Sequence, residues 1–173
     1  MKNLKIYLIM FIIKEKHISN HSKIAIQLFL LASLVPPRHR AKGSKTFWKP
    51  SISEARNGLV LQVKIPGDIE SSKLEKTNFM YKKGLTVQPY IIIVGPTLTN
   101  VHAFYVVIQN INYQTKTLLD ALKFCFQAYF VLDVKYPTES QHLWYLLQWE
   151  LFNIISDKDM QIPFLNDILQ FKN

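Results

Sequence analysis

The chain has 173 residues, 49% of them hydrophobic and 19% charged. That composition excludes a disordered protein and permits one domain with a filled core plus an appendage. The formal net charge of +9 looks suited to nucleic acid, but residues 1–50 hold ten Lys and Arg against the single Glu15, while residues 51–173 hold eleven charges of each sign. All the excess therefore lies in the leading arm.

The arm opens with eight apolar residues, Ile6 to Ile13, behind Lys2 and Lys5. These match the first two regions of a signal peptide, but the small residues a peptidase needs do not follow. A second apolar run, Ile24 to Val35, contains Gln27. Each run is shorter than the ~20 residues that span a bilayer, so both read as short helices or strands, with a signal-like or membrane-associated segment as the alternative. Pro36-Pro37 breaks the second run, and the stretch from Arg38 to Lys45 has the polar make-up of a linker. This divides the chain into an arm of residues 1–48, foreign to the domain proper, and a domain of residues 49–173. Arg38, Arg40, Lys42, Lys45 and Lys49 stand beside Phe47 and Trp48, the cations and aromatic faces that single-stranded nucleic acid requires. Short basic linkers are common, so the structural alternative is an ordinary solvated linker.

Within the domain, Leu59, Leu61, Val63 and Ile65 alternate with Val60, Gln62 and Lys64, the period of a half-buried edge strand ended by Pro66-Gly67. From Asp68 to Lys83 the composition turns helical and partly exposed, with Gly84 where helices commonly end. Val87 to Val94 and Val101 to Ile108 are nearly unbroken apolar runs, suited to central strands covered on both faces. The short loop Gly95 to Asn100 predicts antiparallel pairing between them, and a turn at Asn110 to Asn112 leads to a brief strand near Tyr113. The first strand, reached through the helix, is expected parallel to the second.

Thr117 to Ile155 reads as a helical hairpin. Thr117 caps a first helix with Asp120 in its first turn, and Leu118, Leu122, Cys125, Phe126 and Tyr129 share one face. Only a narrow polar stripe remains, so most of this helix is expected to be buried. Pro137 disfavours helix at Tyr136 and ends the first helix near Asp133, while Thr138 and Gln141 have the spacing of a capping box for the second. That second helix carries two stripes: Leu143, Leu147, Leu151 and Ile154 on one side, and Tyr145, Trp149 and Phe152 nearly opposite. The aromatic stripe either completes the domain's own core or meets a protein partner, including a second copy, because Tyr and Trp are favoured at interfaces. An amphipathic closing helix is expected beyond Pro163.

Catalytic arrangements are nearly absent. Gly43-Ser44-Lys45-Thr46 lacks the adjacent Gly-Lys, the earlier glycine and the preceding strand of a phosphate loop. His17 and His21 share a helix face without the glutamate of a metalloprotease, so no metal site is assigned. His102 and His142 read as hydrogen-bonded structural residues, and Glu150 as a carboxylate at the edge of the leucine face. The single cysteine, Cys125, excludes a disulfide framework and a multi-cysteine zinc site; on an apolar helix face it is expected to be an inert core thiol, compatible with an intracellular compartment. No cofactor is implied.

Lys49-Pro50-Ser51, the block Val87-Gln88-Pro89 through Val94-Gly95-Pro96, Leu122-Lys123-Phe124-Cys125-Phe126 and Tyr136-Pro137-Thr138-Glu139-Ser140 resemble a segment that recurs in uncharacterised, multicopy animal proteins associated with mobile elements. The resemblance covers residues 49–167 and implies no activity, cofactor or catalytic residue. The sequence thus predicts an α+β domain, a small mixed sheet with the aromatic hairpin packed on it. Its expected function is a non-enzymatic interaction domain, with nucleic-acid binding through the arm as the alternative, and an enzyme with an unrecognised site behind both.

Overall fold

The structure, a computed structural model, describes residues 18–38, 40–43 and 47–154. The run Ile6 to Ile13, His17, Lys45 and the closing helix expected beyond Pro163 lie outside the described residues. In chain order the elements are α1 (Asn20–Leu34), β1 (Ala41–Lys42), β2 (Phe47–Trp48), α2 (Ile52–Leu59), β3 (Val60–Val63), α3 (Ile69–Lys82), β4 (Tyr90–Val94), β5 (Ala103–Ile108), β6 (Ile111–Thr115), α4 (Leu118–Val131) and α5 (Gln141–Leu151). The fold is α+β.

The main sheet has the order β3-β4-β5-β6. β3 and β4 are parallel because α3 carries the chain from one to the other, whereas β4-β5 and β5-β6 are antiparallel because their links are short. Gln109 and Asn110 join β5 to β6 with φ of 47° and 70° and Ile108 paired to Ile111, the two-residue turn whose twist matches that of the strands. Gly95 follows β4 where a Cβ would lie 2.1 Å from the Asn100 oxygen, so only glycine admits this close return of the chain.

β4 is buried along its whole length, and alternate residues enter two cores. Ile91 and Ile93 face α1, α2, α4 and α5 together with Phe104 and Val106. Tyr90, Ile92 and Val94 join Val63, Val107 and Ile69 of α3 on the other side. Side chains of a strand alternate between faces, so an all-apolar strand is what a sheet covered on both sides needs.

Expectations about one strand and about the second helix of the hairpin are corrected. The alternation from Leu59 to Ile65 overstates the strand: Leu59 ends α2, and β3 spans only four residues at the sheet edge. A capping box starts α2, with the Glu54 N–H donating to Ser51 Oγ at 3.1 Å and the Ser51 N–H to Glu54 Oε2 at 2.6 Å. Farther on, Thr117 caps α4 as expected, accepting from the Asp120 N–H at 3.0 Å. The capping box expected at Thr138 does not form; Ser140 precedes α5 without a side-chain cap, and α5 stops at Leu151. α4 closes at Val131, beside the end expected near Asp133, and it is the left-handed Asp133 at φ 49° that turns the chain ahead of Pro137.

The arm boundary also changes. The run Ile24 to Val35 forms most of α1, capped by Ser19 Oγ, and Ala25, Leu28, Ala32 and Val35 are buried in the same core as α2, α4 and α5. The His142 ring bonds the Val35 carbonyl through Nε2 at 3.1 Å. A line drawn between residues 48 and 49 therefore cuts through packed apolar side chains. No described helix is long and apolar enough to cross a membrane.

His142 makes this junction sensitive to acid. A carbonyl only accepts, so Nε2 carries the proton, and burial pushes the imidazole pKa from 6.5 down to about 4 against the opposing Val35 bond. A depressed histidine favours the folded state fully above its unfolded pKa of 6.5, and that contribution is lost as pH falls toward 4. We expect roughly 3 kcal/mol of the acid destabilisation to disappear in His142→Gln, read as the difference between urea-unfolding free energies at neutral and acid pH. Equal acid sensitivity in the two proteins would show that His142 is not the group responsible.

Candidate functional site

The aromatic side chains of α4 and α5 form a connected set. Tyr129 meets Tyr136 edge-on at 4.8 Å and Trp144 at 5.0 Å; Tyr136 meets Tyr145 at 5.1 Å, and Tyr145 lies 6.0 Å from Trp149. The Tyr129 hydroxyl donates to the Pro89 carbonyl, tying α4 to the chain entering β4. Tyr145 and Trp149 are thus half-buried against the core. Phe152, just after α5, stacks on Phe126 at 3.8 Å with an interplanar angle of 3°. Of the stripe Tyr145, Trp149 and Phe152, it is Phe152 that lines an open groove with Phe126.

That groove has a volume of about 440 Å³ and is lined chiefly by Phe126, Phe130, Val131, Phe152 and Ile154, with Lys123 and Gln127 supplying polar atoms. Val131 is 81% exposed and Phe130 54%. Most of α4 was expected to be buried, yet its last turn carries large apolar groups into solvent beside exposed Leu132. Leu151 and Ile154, assigned from the sequence to the buried leucine side, are exposed as well: Leu151 is the last residue of α5, and Ile154 lies beyond its end.

The basic linker contains a two-stranded ribbon, with Ala41 paired to Trp48 and Lys42 to Phe47. Arg38, Arg40 and Lys49 are exposed around it, as is Phe47. Trp48 is half-buried, with Lys83 Nζ 5.0 Å from its ring centre.

Among the described residues, His102 and Glu150 sit at different elements. His102 is exposed ahead of β5 rather than inside a central strand, and its backbone N–H donates to Val94 O at 2.9 Å. Glu150 is half-buried on α5. Cys125 is fully buried, and loss of hydration pushes its thiol pKa well up, which keeps it protonated and inert. Among the described residues no three His, Cys, Asp or Glu side chains gather as metal ligands would.

A pocket of about 200 Å³ lies where α2, α3 and the segment before α5 meet. The Lys76 ammonium of α3 donates to the Asn57 carbonyl at 2.9 Å and to Glu139 Oε1 at 3.3 Å, and lies 4.7 Å from the centre of the Tyr90 ring. Burial pushes the Lys76 pKa down, opposed by the charge of Glu139. Glu139 is only 2% exposed, and its Oε2 and the neighbouring Ser140 Oγ are closed to solvent with no hydrogen-bond partner among the described residues. Gly58 permits the approach: a Cβ there would lie 2.6 Å from Ser140 Oγ and 2.8 Å from Glu139 Cγ. No spacing rule joins Lys76 to Glu139, and Thr138 drew attention only as a cap. The one legible hint was a glycine in what proves to be a helix, which signals close packing of another segment.

No family model, curated protein or solved structure matches this chain.

Proposed function

We propose that the protein is a non-enzymatic interaction module that receives an amphipathic helical segment of a protein partner in the groove of Phe126, Phe130, Val131, Phe152 and Ile154. The observation that carries this reading is the contiguity of exposed Phe130 and Val131 with the stacked Phe126–Phe152 pair. Adjoining large apolar groups in solvent mark docking surfaces, and a helix lays its apolar face into such a groove. Lys123 on the lining favours a partner with acidic residues flanking its apolar face. The resemblance of residues 49–167 to a mobile-element-associated segment suggests the origin of the module and brings no catalytic role with it.

Helical peptides with leucine faces and glutamate flanks, selected on the intact protein, should bind by fluorescence anisotropy and lose at least about tenfold in affinity with Phe130→Asp or Val131→Asp. Val131 is 81% exposed, so the stability of Val131→Asp should stay within about 0.5 kcal/mol. Undiminished binding to both variants would refute the location of the site.

A second reading rests on exposed Phe47 beside Arg38, Arg40 and Lys49 on the β1–β2 ribbon. Under it, single-stranded nucleic acid stacks on Phe47, and the logarithm of affinity falls with that of salt by about 0.7 per phosphate contacted. Neutralising Arg38, Arg40, Lys42 and Lys45 together should remove most of the binding; salt-independent affinity would exclude it.

A further inference from the structure

We propose that β6 pairs antiparallel with β6 of a second copy of this chain, about a two-fold axis at Tyr113, so that two four-stranded sheets join edge to edge. This surface is separate from the groove, and neither reading depends on the other. Among the described residues β6 is an outer strand of the main sheet, with β5 on one side only. An antiparallel ladder alternates between residue pairs that exchange both backbone hydrogen bonds and pairs that exchange neither. The two-residue turn makes Ile108 and Ile111 an exchanging pair, so Tyr113 with Val106 and Thr115 with Phe104 exchange as well. The N–H and C=O groups of Asn112 and Gln114 therefore point away from β5 along the open edge, and both residues are exposed. Such a row of backbone groups is a template for another strand.

β6 carries none of the features that ordinarily blunt an edge. Ile111 to Thr115 holds no charge and no proline, and its unbroken register with β5 leaves no bulge. That register also fits itself. With the Tyr113 residues of the two copies opposite each other, Asn112 of each chain meets Gln114 of the other, and the outward N–H and C=O groups of all of them find partners. Tyr113 is exposed on the α4 side, its ring edge-on to Phe124 at 5.6 Å, so the two tyrosine rings meet at the axis while exposed Ile111 lies opposite Thr115. Antiparallel pairing also sets exposed Lys116 of one copy beside the turn of the other, where exposed Glu70 accepts from Asn112 Nδ2 at 3.2 Å. Opposite charges thus meet at both ends of the contact, which favours a second copy over an unrelated strand.

The test is sedimentation of the full chain across a dilution series, joined to amide hydrogen exchange. One strand pair is a small interface, so the dimer should dissociate with a constant on the order of 10 µM. Above that concentration the Asn112 and Gln114 amides should gain protection, whereas those of Tyr113 and Thr115, already bonded to β5, should change little. Gln114→Pro removes an outward N–H and leaves the β5 ladder intact, so it should raise the dissociation constant at least about tenfold with an unchanged circular dichroism spectrum. Should proline disturb the strand, Tyr113→Lys and Tyr113→Glu each place like charges at the axis; either alone should be monomeric, and an equimolar mixture should restore the dimer. A chain that stays monomeric well above the expected constant, a dimer that survives both Gln114→Pro and Tyr113→Lys, or one lost only in Val131→Asp of the groove would each overturn the proposal.

Discussion

A chain beginning at Lys49 is expected to lose cooperative unfolding, the largest effect foreseen for this protein. It lacks α1, whose Ala25, Leu28 and Ala32, with Val35 beyond its end, are buried against α2, α4 and α5. Each large apolar side chain is worth about 1.5–3 kcal/mol when buried, and the surfaces facing α1 would be exposed too. The loss extends to the contact of His21 with Phe104 at 5.0 Å, the placement of Arg56 over Phe29 at 4.8 Å and the Val35 carbonyl that holds His142. Together these approach the about 5–15 kcal/mol by which a whole domain is stable. Circular dichroism should show no sharp thermal transition for this chain, whereas the full chain should show one. A cooperative melt of the shorter chain within a few degrees of the full protein would show that α1 is dispensable. The linker-like residues 38–45 and the lopsided charge predicted such independence; the packing of α1 argues against it.

Trp144→Ala should be the most damaging single substitution, at about 3–5 kcal/mol. Trp144 is fully buried between Tyr129 at 5.0 Å and Tyr136 at 5.9 Å, so truncation leaves a cavity walled by rigid rings. At about 2–4 °C per kcal/mol for a chain of this size, the melting temperature should fall by roughly 10 °C. Trp149→Ala should cost less, about 1–2 kcal/mol, because that ring is half-buried. The check is the urea midpoint with an unchanged slope. Equal losses at the two positions would mean that both sides of α5 are core. The two-stripe reading of this helix picked out Trp149 and passed over Trp144, which lies between the stripes yet faces inward.

What the residues determine locally was legible. The apolar runs at β4 and β5, the Thr117 cap, the α3 crossover and the antiparallel links follow from side-chain period and loop length, which act over a few residues. The Ser51–Glu54 capping box was equally local, but the alternation after Leu59 drew the eye to a strand, and a helix of eight residues has little periodicity to set against it. The end of α4 near Asp133 was legible, but the left-handed turn at Asp133 that makes it was not. The rest belongs to the tertiary structure alone. That α1 is core, that Phe130 and Val131 face solvent while Tyr145 and Trp149 lean inward, and that Lys76 meets Glu139 across 63 residues all depend on which faces pack together. Helix and strand periods state which side chains share a face; only the three-dimensional arrangement decides what that face meets, because burial and ion pairing are set by neighbours distant in the chain.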